Sequence, residues 1–495
     1  MPTYSKPQPF LSKTKFLDGI KCPKLLWYEY NKTEEVPEPD AETQAIFDQG
    51  KRVGEVAQKL YPFGIKMERE QMPEKMHASS IAALALRRPL FEAGLIYGRT
   101  YALPDILVPV EGDSWDLVEV KSAAEVKEEH ILDAAFQKYV YTGAGLKIRR
   151  CYLMYINTEY VRHGEIEPKK LLTKKDITIK TDPYLSGIKD QVDSMLEIMT
   201  GPEPQMKIGP QCGKPYPCLL EERCWKFLPE GDIFQLRGKK ERLYELLDRG
   251  ILKVADIPIE DWLSDKQLIQ INSHKTGEAH VDREGVRDFL SGLKYPLYFL
   301  DFETLSAAIP AYDLTHPFDK IFFQFSLHVI SKEGEKPAHH SYLAPGDTDP
   351  RPEILLRLKE LLGEAGSIIA YNMSYEISCL RDAVNAYPEY KDWFGKLEKR
   401  FVDLLVPFSK LHYYHPAQEG SASIKNVLPA MTTTSYEGME IADGGTASLE
   451  YERVTFDKDI DEKERQRIRN ALEEYCKLDT QAMVDIFKAL VELSP

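Results

Sequence analysis

The chain has 495 residues, which at about 150 residues per domain predicts two large domains or three smaller ones and excludes a single small domain. Hydrophobic residues make up 43% and aromatic residues 11%, enough to fill a core in each domain and to exclude disorder over most of the length. A formal charge of −15, from 64 Lys and Arg against 79 Asp and Glu, excludes a protein that coats nucleic acid by bulk charge, so any such contact must be local.

No apolar run approaches the roughly 20 residues that span a bilayer, and the N-terminal MPTYSKPQPFLSKTKF lacks the apolar core of a signal peptide. The expectation is a cytoplasmic protein without membrane contact. Seven cysteines, an odd number in a long chain, predict free or metal-binding thiols rather than a disulfide framework.

In chain order, KCPKLLWYEY around Cys22 predicts a helix, and a second follows over 43–60, before Pro62. LIYGRTYAL, DILVPV and WDLVEVKS predict consecutive strands. A helix over 128–142 ends at Gly143, and RRCYLMYIN predicts a buried strand whose NTE turn leads to a hairpin partner, YVRHGEI. The Pro- and Gly-rich stretch 201–217 predicts a loop. Residues 231–292 read as a polar helical connector, in which RLYELLDRGILKVADIP has the outline of a helix-hairpin-helix unit. YPLYFLDFET then opens an α/β domain with further strands at IFFQFSLHVI and SIIAY and helices over 351–362, 375–387 and 461–493. The expected domains are 1–230, 231–292 and 293–495.

Three constellations carry chemistry. Asp105 begins one β run, and Glu119 and Lys121 alternate on one face of the next. Two hard carboxylates that hold Mg²⁺ or Mn²⁺, beside an ammonium that positions water, make a phosphodiester-hydrolysing set. Gln137 and Tyr141 share a face of the following helix. Together, GRTYALPDIL, DLVEVKS and AFQKYVY resemble the PD-(D/E)xK nucleases of the RecB type, including CRISPR-associated members. The resemblance implies a DNA nuclease with Asp105 and Glu119 as metal ligands, Lys121 catalytic, and Gln137 and Tyr141 near the DNA backbone. Relatives carry a metal-binding His on an early helix; GKRVGEVAQKL has none, and Glu55 or Glu92 are the substitutes.

Cys212, Cys218 and Cys224, spaced C-x5-C-x5-C, together with Cys22 can give four thiolates to one cluster or metal. Cys151, Cys379 and Cys476 read as core residues. The same RecB-type relatives hold a 4Fe-4S cluster with one N-terminal Cys and three after the nuclease core, which implies an iron-sulfur cluster here, with zinc as the alternative.

In YFLDFET, Asp301 and Glu303 are two residues apart on one strand face and can share a metal ion. Tyr475 and Asp479 share a helical face, and Asn372 and Glu376 follow the strand SIIAY. This ordered set resembles the three motifs of DnaQ-like, RNase H-like 3′-5′ exonucleases, in the variant with Tyr in the third motif. The resemblance implies that Asp301, Glu303, Glu376 and Asp479 bind two divalent ions while Tyr475 orients the nucleophile. Glu376 stands where that family has Asp, and Asp403 is the nearest other acid.

The fold expected is thus α/β in two domains: a restriction-endonuclease-like mixed sheet with helices and a Cys-ligated cluster, then an RNase H-like domain, joined by a helical connector. The expected function is a two-site nuclease acting on DNA ends or single strands. A nucleic-acid-binding or scaffold protein with inactive sites and an RNA-trimming exonuclease stay open. Basic clusters at Lys147/Arg149/Arg150, Lys169/Lys170/Lys174/Lys175 and Arg237/Lys239/Lys240/Arg242 read as phosphate-tracking or solvated surface. His339/His340 and His412/His415 read as loop or packing residues.

Overall fold

The computed structural model describes residues 9–494 except Gln71, Pro215 and Asp347, so the first half of the N-terminal stretch read above, residues 1–8, lies outside the described residues. The chain is mixed α/β and divides into two units, 1–226 with 307–318, and 227–306 with 319–495.

The first unit contains strands β1 (Leu11–Ser12), β2 (Ile65–Lys66), β3 (Leu90–Phe91), β4 (Leu95–Tyr97), β5 (Thr100–Ala102), β6 (Ile106–Pro109), β7 (Ser114–Lys121), β8 (Lys147–Ile156) and β9 (Leu172–Asp176). Six form a mixed sheet in the order β2-β3-β6-β7-β8-β9, and β1-β5-β4 form a small one. Its main helices are α1 (Lys13–Lys21), α2 (Pro23–Asn31), α3 (Ala41–Gln58), α4 (Glu128–Gly143) and α5 (Thr178–Thr200). β7 is apolar on both faces. Leu117 packs with Ala134 of α4, and Val118 and Val120 pack with Val53, Val56 and Ala57 of α3. Because β7 and β8 pair in parallel, a crossover must join them, and α4 is that crossover. Glu119 and Lys121 continue the Leu117 face and therefore point toward α4.

Two features depart from expectation. The antiparallel partner of β8 is β9 rather than YVRHGEI. Arg162 in that stretch instead donates to the carbonyls of Pro310 and Ala311 at 2.8 and 2.6 Å, which draws it into an irregular loop. α5 was not foreseen, because its first turns are rich in Thr and contain Pro183.

The second unit is built on β10 (Leu297–Leu305), β11 (Ile321–Ile330), β12 (Ala338–Leu343), β13 (Ser367–Ala370) and β14 (Phe401–Asp403), in the order β12-β11-β10-β13-β14. β10 is antiparallel to β11 and parallel to β13. Four helices matter to the site: α6 (Ser374–Ala386), α7 (Ile424–Met431), α8 (Gly444–Phe456) and α9 (Glu462–Leu493). Asp461 caps α9 by accepting from the Glu464 amide at 2.8 Å. Tyr298, Leu300 and Phe302 bury one face of β10 in the main core. Phe299, on the other face, meets Phe487 of α9 with ring centres 5.7 Å apart, so Asp301 and Glu303 on that same face are directed at α9.

The 231–292 segment belongs to this second unit. Ile233, Leu236, Leu243, Leu246 and Ile271 form its own small core, while Arg237 donates to the carbonyls of Phe408 and Gly420 at 2.8 and 2.7 Å. After the helix Lys240–Asp248 the chain makes one 3-10 turn, Val254–Asp256, before the next α-helix at Asp265–Thr276.

Candidate active sites

The first unit gathers Asp105, Glu119, Lys121 and Gln137 and adds two residues the sequence did not single out, Asp133 and Lys13. Lys121 Nζ lies 2.8 Å from Glu119 Oε1 and 2.6 Å from Asp133 Oδ2. Lys13 Nζ lies 2.8 Å from the same Glu119 oxygen and 3.3 Å from Asp133 Oδ1. Gln137 Nε2 donates to Glu119 Oε2 and to Asp133 Oδ1, each at 2.7 Å. Asp105 Oδ2 accepts from the Val120 amide at 2.6 Å. Tyr141 is fully enclosed, and its hydroxyl donates to the Ala93 carbonyl. Glu55 is exposed on α3, and Glu92 meets the cluster through its backbone, its amide donating to the Asp105 carbonyl at 3.3 Å.

The electrostatics divide the carboxylates. Burial and the neighbouring Glu119 push Asp105 up to about 7, against the pull of Lys13 and Lys121. Burial also works against ionised Glu119, yet Lys121 and Lys13 outweigh it and hold Glu119 well below the usual range. For both lysines burial favours the neutral amine, and Asp133 and Glu119 overcome it, so both are held charged. Fully ionised, three carboxylates face two ammonium groups, and the cluster carries a single net negative charge.

Cys22 sits where α1 ends and α2 begins, its amide bonded to the Asp18 carbonyl at 2.8 Å. It lines one small apolar cavity with Cys212, Cys218, Cys224, Ile208 and Leu220. The Cys218 amide donates to the Cys212 carbonyl at 2.8 Å, and Lys21 Nζ donates to the carbonyls of Tyr216 and Pro217 at 2.5 and 3.0 Å. Among the described residues, no three of these sulfurs approach within 4.8 Å of one another. A tetrahedral zinc with bonds of about 2.3 Å would draw its sulfurs to roughly 3.8 Å. The four thiols converge at a wider spacing.

In the second unit, β10 delivers Asp301 and Glu303, α6 delivers Glu376, and α9 delivers Tyr475, Cys476 and Asp479. Burial first, then Asp479, Glu303 and Glu376, pushes Asp301 well above the carboxylate range. Burial and Asp479 do the same to Glu303. Glu376 rises to about 8 by burial, with Asp403 adding to the shift. Its Oε2 is buried without a hydrogen-bond partner. Burial raises Asp479 to about 6, while hydrogen bonds from Tyr436 and Tyr475 and the charge of Lys425 restrain it. Four carboxylates therefore meet with one nearby lysine, a far less compensated set than the first.

Three contributors here have no sequence signature. Tyr436 donates to Asp479 Oδ1 at 2.5 Å, and its ring lies 6.3 Å from that of Tyr475. Lys425, on α7, holds its ammonium 5.8 Å from both ring centres. Cys476, expected as a core residue, is buried but also faces the carboxylates: its Sγ is 3.9 Å from Asp301 Oδ2, and Asp301, Glu303 and Cys476 bring ligand atoms within 4.8 Å of one another. Cys151 and Cys379 do lie in apolar clusters. Asp403 accepts the amides of Asn372 and Leu405, both at 2.9 Å, and so fixes the left-handed backbone at Asn372 (φ 68°).

The basic clusters are partly spent on neighbouring acids: Lys147 on Asp113, Arg149 on Asp116, Arg150 on Asp176 and Arg242 on Glu245. His339 bonds Ser326 at 3.0 Å and stacks near His328, while His415 caps the Ala417 amide at 3.1 Å. No helix among the described residues is long and apolar enough to cross a membrane.

Residues 298–423 match the family described as a domain of unknown function, DUF2779. The matched stretch takes in Asp301, Glu303, Glu376 and Asp403 and ends before Lys425, Tyr436 and the Tyr475–Asp479 pair. An uncharacterized protein of Ureaplasma parvum serovar 3 is 24% identical over 237 residues, covering 43% of this chain and 34% of its own length. The match thus spans about a third of that relative.

Proposed function

We propose that the chain is a metal-dependent nuclease with two phosphodiester-hydrolysing sites, a RecB-like one in the first unit and a DnaQ-like 3′-5′ exonuclease in the second, acting on DNA ends or single strands. The observation that carries this reading is the meeting of Asp301, Glu303, Glu376 and Asp479, with an unpartnered Glu376 oxygen, in a buried place where Lys425 offsets only part of their mutual repulsion. Divalent cations are the counter-charge that fits such a donor set. The sheet order, with β10 central, antiparallel on one side and parallel on the other, agrees with an RNase H-like domain.

Bound Mg²⁺ or Mn²⁺ would lower the pKa of the attacking water and offset charge on the phosphate. Asp301, Glu303, Glu376 and Asp479 would hold the ions in the second unit, and Asp105 and Glu119 in the first. Tyr436 and Tyr475 both bond Asp479, and the Tyr475 hydroxyl beside that carboxylate would orient the water. Lys121, anchored on Glu119 and Asp133, holds an ammonium where the transferred phosphate gains negative charge. In each reaction water forms a new P–O bond, the bond to the sugar oxygen breaks, and that oxygen takes a proton. The four thiols fit an iron-sulfur cluster better than one zinc because of their spacing, and their role is to tie Cys22 to the 212–224 segment.

The test follows 5′- and 3′-labelled single- and double-stranded DNA, with matched RNA, in Mn²⁺. Anaerobically purified wild type is compared with Lys121→Ala and Asp301→Ala/Glu303→Ala. Loss of a different part of the product pattern in each variant supports two working sites, and the labels give their polarity. Absence of cleavage by wild type on every substrate overturns the proposal in favour of a nucleic-acid-binding role.

A further inference from the structure

Lys13 stands at an unusual position for a lysine. It is the first residue of α1, whose first turn contains no acid and whose N-cap is Ser12. A cation there faces the positive end of the helix dipole, an arrangement that costs about 0.3–1 kcal/mol. The ammonium is held against that cost by Glu119 and Asp133, at 2.8 and 3.3 Å, with Asp105 adding its attraction.

Both Glu119 oxygens are already engaged, Oε1 by two ammonium groups and Oε2 by Gln137. A divalent cation shared by Asp105 and Glu119 adds two positive charges beside the two ammonium groups already on Glu119 Oε1, and the added repulsion favours the departure of one of them. Lys121 is the tighter of the two, with its second contact at 2.6 Å against 3.3 Å for Lys13. The α1 backbone at Lys13 is fixed by pairing of β1 with β5 and by the Ser12 cap, so release needs only side-chain rotation.

We infer that Lys13 is a positioning residue that serves as the built-in counter-ion of the first carboxylate cluster and gives up its place to the divalent cation. This rests on the nuclease reading of that cluster. Lys13 holds the Glu119 carboxylate in position while no metal is bound, and makes metal uptake an exchange of one cation for another. Its removal therefore tightens metal binding, the reverse of what loss of a ligand or of a purely structural contact does.

The experiment titrates Mn²⁺ into the full chain carrying Asp301→Asn/Glu303→Gln, which silences the second site, by calorimetry and by electron paramagnetic resonance of free Mn²⁺. In that background Glu119→Gln tests the reading itself: loss of the remaining Mn²⁺ uptake supports it, and unchanged uptake refutes it. With uptake dependent on Glu119, Lys13→Met and Lys13→Gln are expected to bind Mn²⁺ roughly tenfold or more tightly, the size of a repulsion between close charges screened by water. Lys13→Arg, which keeps the charge, stays near the parent. Unchanged or weaker Mn²⁺ binding in folded Lys13→Met or Lys13→Gln overturns the inference while leaving the metal site standing.

Discussion

Lys13 and Lys121 rest their ammonium groups on the same oxygen of Glu119, each 2.8 Å from Oε1, and divide the two oxygens of Asp133 between them. Asp133 is thus the acid on which the whole arrangement closes, and it is 2% exposed. Asp133→Ala leaves two part-buried ammonium groups to share Glu119, and broken buried ion pairs cost at most about 3–5 kcal/mol. Urea unfolding should show a loss of that order, and Asp133→Asn, which keeps an acceptor for Gln137, a smaller one.

The second cluster predicts how stability depends on pH. Its acids have folded pKa values above the roughly 4 expected when unfolded, about 8 for Glu376 and about 6 for Asp479. The folded state then binds more protons than the unfolded state, so stability falls as pH rises through that window. Without divalent ions, the melting temperature should decline from about pH 4 to about pH 8. Asp301→Asn/Glu303→Gln should flatten the decline, and Mn²⁺ should abolish it with release of protons to the buffer. A metal-free profile that rises over that range would contradict the raised values.

Tyr436→Phe removes the hydrogen bond that holds Asp479 down. A hydrogen bond to a charged group is worth about 1.5–3 kcal/mol, so the acid limb of the 3′-end trimming profile should move up by at least about one pH unit. Tyr475→Phe, which removes the other hydrogen bond to Asp479, should move the limb in the same direction and also lower the rate through the water it would orient.

Cys218→Ser tests the thiol site. Wild type purified without oxygen should contain about four iron atoms per chain and absorb broadly in the visible range. The variant should lose the iron and melt earlier, because the link from Cys22 to the 212–224 loop goes with it. Wild type containing a single zinc and no iron would assign the site to zinc instead.

Much of this architecture was legible. Strands such as WDLVEVKS and YFLDFET announce themselves because apolar residues cover both faces and the acids interrupt them at positions of period two. α9 was legible for the corresponding reason at helical period, while the bond from Gln137, read only as sharing a helical face with Tyr141, to Glu119 was not. The remainder depended on contacts that spacing does not encode. Lys13 reaches Glu119 across 106 residues, and Tyr436 reaches Asp479 across 43. Asp133 is the exception, since it extends the Gln137–Tyr141 spacing back by one helical step on the same face. YVRHGEI failed as a strand because Arg162 found backbone carbonyls in the 307–318 segment, a partner remote in sequence. Cys476 reads as core because its helical position is apolar, and nothing in the spacing shows that α9 lays its sulfur against Asp301 of β10.

α1 has nine residues, so its two ends are about 13 Å apart. One end carries Lys13 and the other is closed by Cys22. The Lys13 end is held by β1 and the Ser12 cap in its own right, so α1 works as a fixed ruler that keeps the thiols and the carboxylate cluster at a set separation while side chains at either end move.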